Sequence, residues 1–105
     1  MITFSERVVK LALSIPPGRV TTYGRIAQAA GGGPMASQSI TNILGKAYTH
    51  GIEDIPFHRI VYADGRVWID AKHRTERMKR YKEEGISLDE KNRIKNFRTI
   101  VWEFK

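Results

Sequence analysis

The chain has 105 residues, 41% of them hydrophobic, no cysteine, and a formal net charge of +7. That length supports one modest core and one domain, residues 1–105. The composition excludes disulfides and thiolate chemistry, and no run approaches the roughly 18 apolar residues of a membrane span. The N-terminus lacks the basic-then-apolar order of a signal peptide, so the expected location is intracellular: cytoplasmic in a prokaryote, nuclear in a eukaryote. The charge is unevenly spread. Residues 1–50 carry a net +4, residues 51–71 a net −2 and residues 72–105 a net +5. A basic chain of this size suits a polyanion, above all nucleic acid; the plainer alternative is a solvated basic surface.

Thr3-Phe4-Ser5-Glu6 has the form of a capping box at a helix start. Phe4, Val8, Leu11 and Ile15 follow at helical spacing, widened by Val9, Ala12 and Leu13. Pro16-Pro17-Gly18 ends that helix. Thr21 or Thr22 can cap a short second helix whose inner face carries Ile26, Ala27 and Ala30. Gly31-Gly32-Gly33-Pro34 breaks it. Ser37 can open a third helix with Ile40, Ile43, Leu44 and Ala47 on one face. Two short helices joined by a glycine turn make a helix-turn-helix candidate. A loop from Ala47 to Asp54 then leads to Ile55-Pro56-Phe57-His58-Arg59-Ile60-Val61.

Pro56 biases Ile55 away from helix. Ile60-Val61 begins a β-rich run, Asp64-Gly65 suits a tight hairpin turn, and Arg66-Val67-Trp68-Ile69 reads as the return strand. Lys72 to Glu84 is strongly helical and stops at Gly85, with Met78, Tyr81 and Ile86 marking its inner side. The tail (Ile86, Leu88, Ile94, Phe97, Ile100, Val101, Trp102, Phe104) is too apolar for disorder and should pack back on the domain. His50, His58 and His73 are not spaced as a metal set, and no Ser-His-acid arrangement is evident. The residues alone leave Tyr23 and Trp68 open as core aromatics.

Two stretches carry a family likeness. Pro16-Pro17-Gly18-Arg19-Val20-Thr21-Thr22-Tyr23-Gly24-Arg25-Ile26-Ala27 and Pro56-Phe57-His58-Arg59-Ile60-Val61 resemble, in the right order, segments of the O6-alkylguanine-DNA alkyltransferases. The likeness spans roughly Val8 to Ile86. In that family a cysteine, set before His-Arg, accepts the alkyl group. Phe57 stands there, so the chain resembles the cysteine-less alkyltransferase-like proteins, which usually carry tryptophan at that place. The resemblance implies an α+β fold of winged-helix type: a helix-turn-helix alkyltransferase C-terminal domain with a small β-hairpin. It implies minor-groove docking and rotation of a damaged base out of the duplex.

The resemblance places DNA contact on Thr22, Tyr23, Gly24, Arg25, Gln38, Ser39 and Asn42. Tyr23 would press on the phosphate beside the target. Gln38 holds the place of the arginine that fills the gap left by the flipped base, and it lacks that arginine's charge and planar fork. A shifted register would leave Arg25 or Lys46 to compensate. The lesion pocket would comprise Tyr23, Pro56, Phe57, Trp68, Ile69 and Asp70. Asp70 falls where alkyltransferase-like proteins carry an adduct-sensing arginine; Lys72 or Arg74 could reach the same space. Phe57, His58, Arg59 and Glu84 form a degenerate transferase site. There His58 reads best as a satisfied buried histidine, hydrogen-bonded to Glu84, and Arg59 as a structural arginine.

The expected function is therefore non-catalytic recognition of O6-alkylguanine, flagging the lesion for nucleotide excision repair. The expected partner is double-stranded DNA containing alkylated guanine, followed by excision-repair proteins or a nuclease. A monomer with no cofactor and no membrane partner is expected. The rivals are a winged-helix DNA binder without lesion specificity and a protein-interaction scaffold.

Overall fold

The computed structural model describes residues 3–33, 35–67 and 71–104. The expectations for Pro34, Trp68, Ile69 and Asp70 lie outside the described residues. Helix α1, Phe4–Leu13, starts where the Thr3 hydroxyl accepts from the Glu6 amide at 3.1 Å. It buries Val8 and Ala12, with Ile15 just beyond its end. Strand β1 is Thr21–Thr22 and helix α2 is Tyr23–Ala29. The two threonines divide the work: Thr22 caps α2, accepting from the Arg25 amide at 3.1 Å, while the Thr21 hydroxyl donates to the Trp102 carbonyl at 3.2 Å.

The third helix begins later than its Ser37 start predicts. Ala36–Ser39 form a 3₁₀ turn, and α3 runs Ile40–Thr49. No side chain caps this entry; the tight turn satisfies backbone donors instead, with the Gln38 amide bonded to the Met35 carbonyl. Ile40 and Leu44 are buried and Ile43 and Ala47 half-buried, so the predicted inner face is present. The glycine turn before it is closely packed. A Cβ on Gly32 would lie 2.5 Å from the Ala36 Cβ and 3.1 Å from the Ala27 carbonyl oxygen. Gly32→Ala is therefore expected to destabilise the fold by about 1–2 kcal/mol. Urea unfolding checks this, as a lower midpoint with an unchanged slope.

The sheet among the described residues is a parallel pair beside the expected turn. Strand β2, Ile60–Val61, pairs in parallel with β1, Thr21 opposite Ile60 and Thr22 opposite Val61. The Asp64-Gly65 turn does form: Gly65 has φ +84°, its amide bonds to the Tyr62 carbonyl, and the Asp64 carboxylate accepts from the Arg66 amide. Across the turn the Tyr62 amide donates to the Arg66 carbonyl at 3.0 Å. Arg66 bridges Arg93 in antiparallel fashion, and the Val67 amide bonds to the Asn92 carbonyl at 2.9 Å. A distant segment thus adds further backbone partners to the return side of the turn, and the rest of the expected return strand, Trp68 and Ile69, lies outside the described residues.

Helix α4, Arg74–Glu83, follows, and the short α5, Phe97–Ile100, precedes a tail that bonds to Val20 from Ile100 and Trp102. The tail packs on the domain as predicted. The inner side of α4 is narrower than expected: Tyr81 is buried, but Met78 is 39% exposed. Two cores result. One joins α1, α2 and α3 with Ile55 and Ile60; the other gathers Val20, Val61, Val67, Tyr81, Ile86 and Ile94. The β1–β2 pair stands between them, so successive residues Ile60 and Val61 enter different cores, as the two-residue period of a strand dictates. No helix among the described residues is long and apolar enough to cross a membrane.

Candidate functional site

Pro56 leads into a 3₁₀ turn, Phe57–Arg59, closed by a 2.9 Å bond from the Arg59 amide to the Pro56 carbonyl. His58 is 3% exposed and Phe57 half-buried, and Pro56, Phe57, His58 and Arg59 all border one open cleft. The turn is anchored by Glu84, which follows α4. Its Oε2 accepts from His58 Nε2 at 2.5 Å and from Arg59 Nη2 at 2.9 Å. Its Oε1 accepts from Arg59 Nε at 3.0 Å and from the Gly18 amide at 2.9 Å. Arg59 also donates to the Ile15 carbonyl. One carboxylate therefore ties together the Pro16-Pro17-Gly18 turn, the Phe57–Arg59 turn and the end of α4.

The electrostatics follow from that geometry. Burial by itself would raise the Glu84 carboxyl; the bonds from Arg59, Gly18 and His58 outweigh it and hold the group at about 2. Burial lowers the His58 imidazole, and its bond to Glu84 only partly offsets this. The ring is thus neutral at physiological pH, donates through Nε2, and leaves the positive charge of the cluster to Arg59. The predicted His58–Glu84 pair is present, and Arg59 is built into it as a structural arginine.

The cleft has a volume of about 750 Å³, in the range of pockets that take a small organic group such as a base with a substituent. Tyr23 from α2, Tyr48 from α3, Phe57 and Tyr62 supply its aromatic surface. Tyr48 and Phe57 meet edge to face, centroids 6.1 Å apart, and Tyr23 and Tyr62 tilt together at 5.7 Å. Burial, followed by the neighbouring Tyr62, raises the Tyr23 phenol, so its hydroxyl remains a donor. The opposite wall is His73 at the α4 entry with Glu76, Arg77 and Arg80 of α4, and Arg80 is bonded to Glu76.

Of the predicted pocket residues, Tyr23, Pro56 and Phe57 come together here; Trp68, Ile69 and Asp70 lie outside the described residues. Of the predicted DNA-facing set, Gly24, Gln38, Ser39 and Asn42 are exposed. Thr22 is buried, its hydroxyl used as the α2 cap. Arg25 pairs with Glu103 at 2.9 Å, so its charge is partly committed within the chain. Arg59, Arg77 and Arg80 line the cleft, while the space beside Asp70 for which Lys72 or Arg74 is suggested lies outside the described residues.

Tyr48, Tyr62 and the α4 wall were not anticipated. For α4 a signal existed: positions 73, 76, 77 and 80 share one helical face. Tyr48 follows Thr41 and Gly45 on one face of α3, where Gly45, with no side chain, leaves the cleft open. Among the described residues no group of three histidine and carboxylate side chains could hold a metal ion.

A helix-turn-helix beside an aromatic, base-sized cleft, in an α+β fold of winged-helix type, defines a DNA-binding domain of the alkyltransferase kind. The chain belongs to the family of the 6-O-methylguanine DNA methyltransferase DNA-binding domain, whose pattern matches residues 3–86. It is similar to proteins named "DNA base-flipping protein" in Escherichia coli (strain K12) and Shigella flexneri. Each is 37% identical over 65 residues, 62% of this chain and 48% of the relative's length. The chain thus aligns with about half the length of these curated relatives. The fold is similar to that of S. pombe Atl1 in a crystal structure with damaged DNA containing O6-carboxymethylguanine. The TM-score is 0.74 at 26% identity, covering 99% of this chain and 98% of that one. A second S. pombe ATL structure in complex with DNA matches equally, at 25% identity.

Proposed function

We propose that the protein is a non-catalytic reader of O6-alkylated guanine in duplex DNA. The carrying observation is the His58–Glu84–Arg59 cluster beside an aromatic cleft; by the sequence resemblance, Phe57 would stand at the place of the family's acceptor cysteine. The cluster holds the turn in shape, and no thiol is present to react. A flipped guanine with its substituent would enter the cleft and stack on Phe57 and its aromatic neighbours, each stack worth about 1–3 kcal/mol. Tyr23 would press on the adjoining phosphate, and Gly24, Ser39 and Asn42 would face the duplex. A reader without chemistry needs an effector, and nucleotide excision repair or a nuclease fits that place. The protein would then work in the compartment that holds the DNA.

The test is equilibrium binding to two matched duplexes, one with a single O6-methylguanine and one with guanine. The expected result is at least a tenfold preference for the lesion, about 1.4 kcal/mol. Both affinities should fall steeply as salt rises, since a chain of net charge +7 releases counterions on docking. Equal affinities favour the second reading, a DNA binder without lesion specificity, which Gln38 in place of the wedge arginine and Asp70 in place of the sensing arginine support. No binding to either duplex points to a scaffold.

A further inference from the structure

We propose that Met35, rather than Gln38 alone, is the wedge that fills the gap in the duplex when a base is turned out. This rests on the base-flipping reading above. An emptied position in the stack is costly, and a protein that extrudes a base fills it with a side chain. Gln38, at the family's wedge position, is short and uncharged. In the structure its amide is not directed outward alone: Nε2 lies 3.9 Å from the Met35 sulfur, as a donor to it.

The local geometry makes the two residues one unit. Ala36–Ser39 is a 3₁₀ turn, entered from Met35. With three residues per turn, side chains at i and i+3 stand in line, so residues 35 and 38 share an edge. Ala36 packs against the first core, and the close approach of Gly32 to it pins the turn. Met35 is 67% exposed, the most exposed large hydrophobic side chain among the described residues. It stands at the entry to the second helix of the helix-turn-helix, beside the exposed Gln38 and Ser39. Methionine is unbranched and polarizable, adapts to irregular gaps, and is among the residues that minor-groove proteins insert between base steps.

The experiment compares the wild type with Met35→Ala, Met35→Leu and Gln38→Ala on the O6-methylguanine and guanine duplexes, with 2-aminopurine beside the target position to report unstacking. Met35→Ala should lose about tenfold in affinity for the lesion duplex and dim the 2-aminopurine response. Its affinity for the guanine duplex and its Tm should stay unchanged, and Met35→Leu should keep both signals. The proposal is overturned if Met35→Ala binds the lesion duplex like the wild type, or if Gln38→Ala alone shows the tenfold loss. A wild type that does not distinguish the two duplexes overturns the base-flipping reading itself, and the wedge with it.

Discussion

Glu84→Ala is expected to cost about 3–5 kcal/mol of folding stability, the range for removing one partner of a buried ion pair. The Glu84 side chain is only 11% exposed and accepts bonds from Arg59, His58 and the Gly18 amide. Removing it leaves the Arg59 guanidinium without its counter-charge and three segments without their common tie. The same carboxylate sets the acid limit of the fold. Its value is about 2 when folded and 4.5 when unfolded, so it stabilises the folded state above pH 4.5 and loses that contribution as pH falls toward 2. The separation corresponds to about 3 kcal/mol. His58 acts in the same direction at higher pH. Its folded value lies below 6.5, so acidification below 6.5 favours the unfolded chain, whose imidazole takes up the proton more readily. Urea unfolding from pH 7 to pH 3 should show stability falling in both windows. Glu84→Gln should flatten the lower one. A loss under about 1 kcal/mol in Glu84→Ala would refute the assignment of Glu84 as the tie.

Much of this was legible because it is local. Thr3 and Thr22 sit where a cap is needed, and the inner faces of α1, α2 and α3 follow the helical period. The Asp64-Gly65 turn follows from the backbone freedom of glycine. Pairings between distant segments were not legible. Nothing near Ile60 indicates that Thr21, far earlier, is its strand partner, or that Arg66 will bridge Arg93. The α3 start was misplaced because Ser37 reads as a cap, while a 3₁₀ turn supplies the same bonds without it. The cleft was half legible. The motif marked Tyr23 and Phe57, but Tyr48 and Tyr62 reach them only after α3 and the wing are packed. Met78 carried a helical signal shared with Tyr81, yet the second core stops short of it.

Tyr23→Ala is expected to lower affinity for the O6-methylguanine duplex by about a hundredfold or more, near 3 kcal/mol. Two contributions combine. The ring lines the cleft and leans on Tyr62, so its removal takes away part of the surface on which a base would stack. Its hydroxyl, kept protonated by burial and the neighbouring Tyr62 and hydrogen-bonded to Thr41, would donate to a phosphate oxygen on the proposed docking, and a hydrogen bond to a charged acceptor is worth about 1.5–3 kcal/mol. Tyr23→Phe separates them, since it keeps the ring and loses only the donor; it should fall between the wild type and Tyr23→Ala. The guanine duplex serves as the control. A tyrosine that turns a base out should affect the lesion duplex more than the undamaged one, whose binding depends on backbone contacts. Because the phenol lies above its ordinary value, lesion binding should also be level from pH 7 to pH 9; a phenolate formed in that range would repel phosphate. Equal losses on both duplexes in Tyr23→Ala would assign the residue to packing of the α2 entry, and a Tyr23→Phe variant indistinguishable from the wild type would remove the phosphate contact from the mechanism.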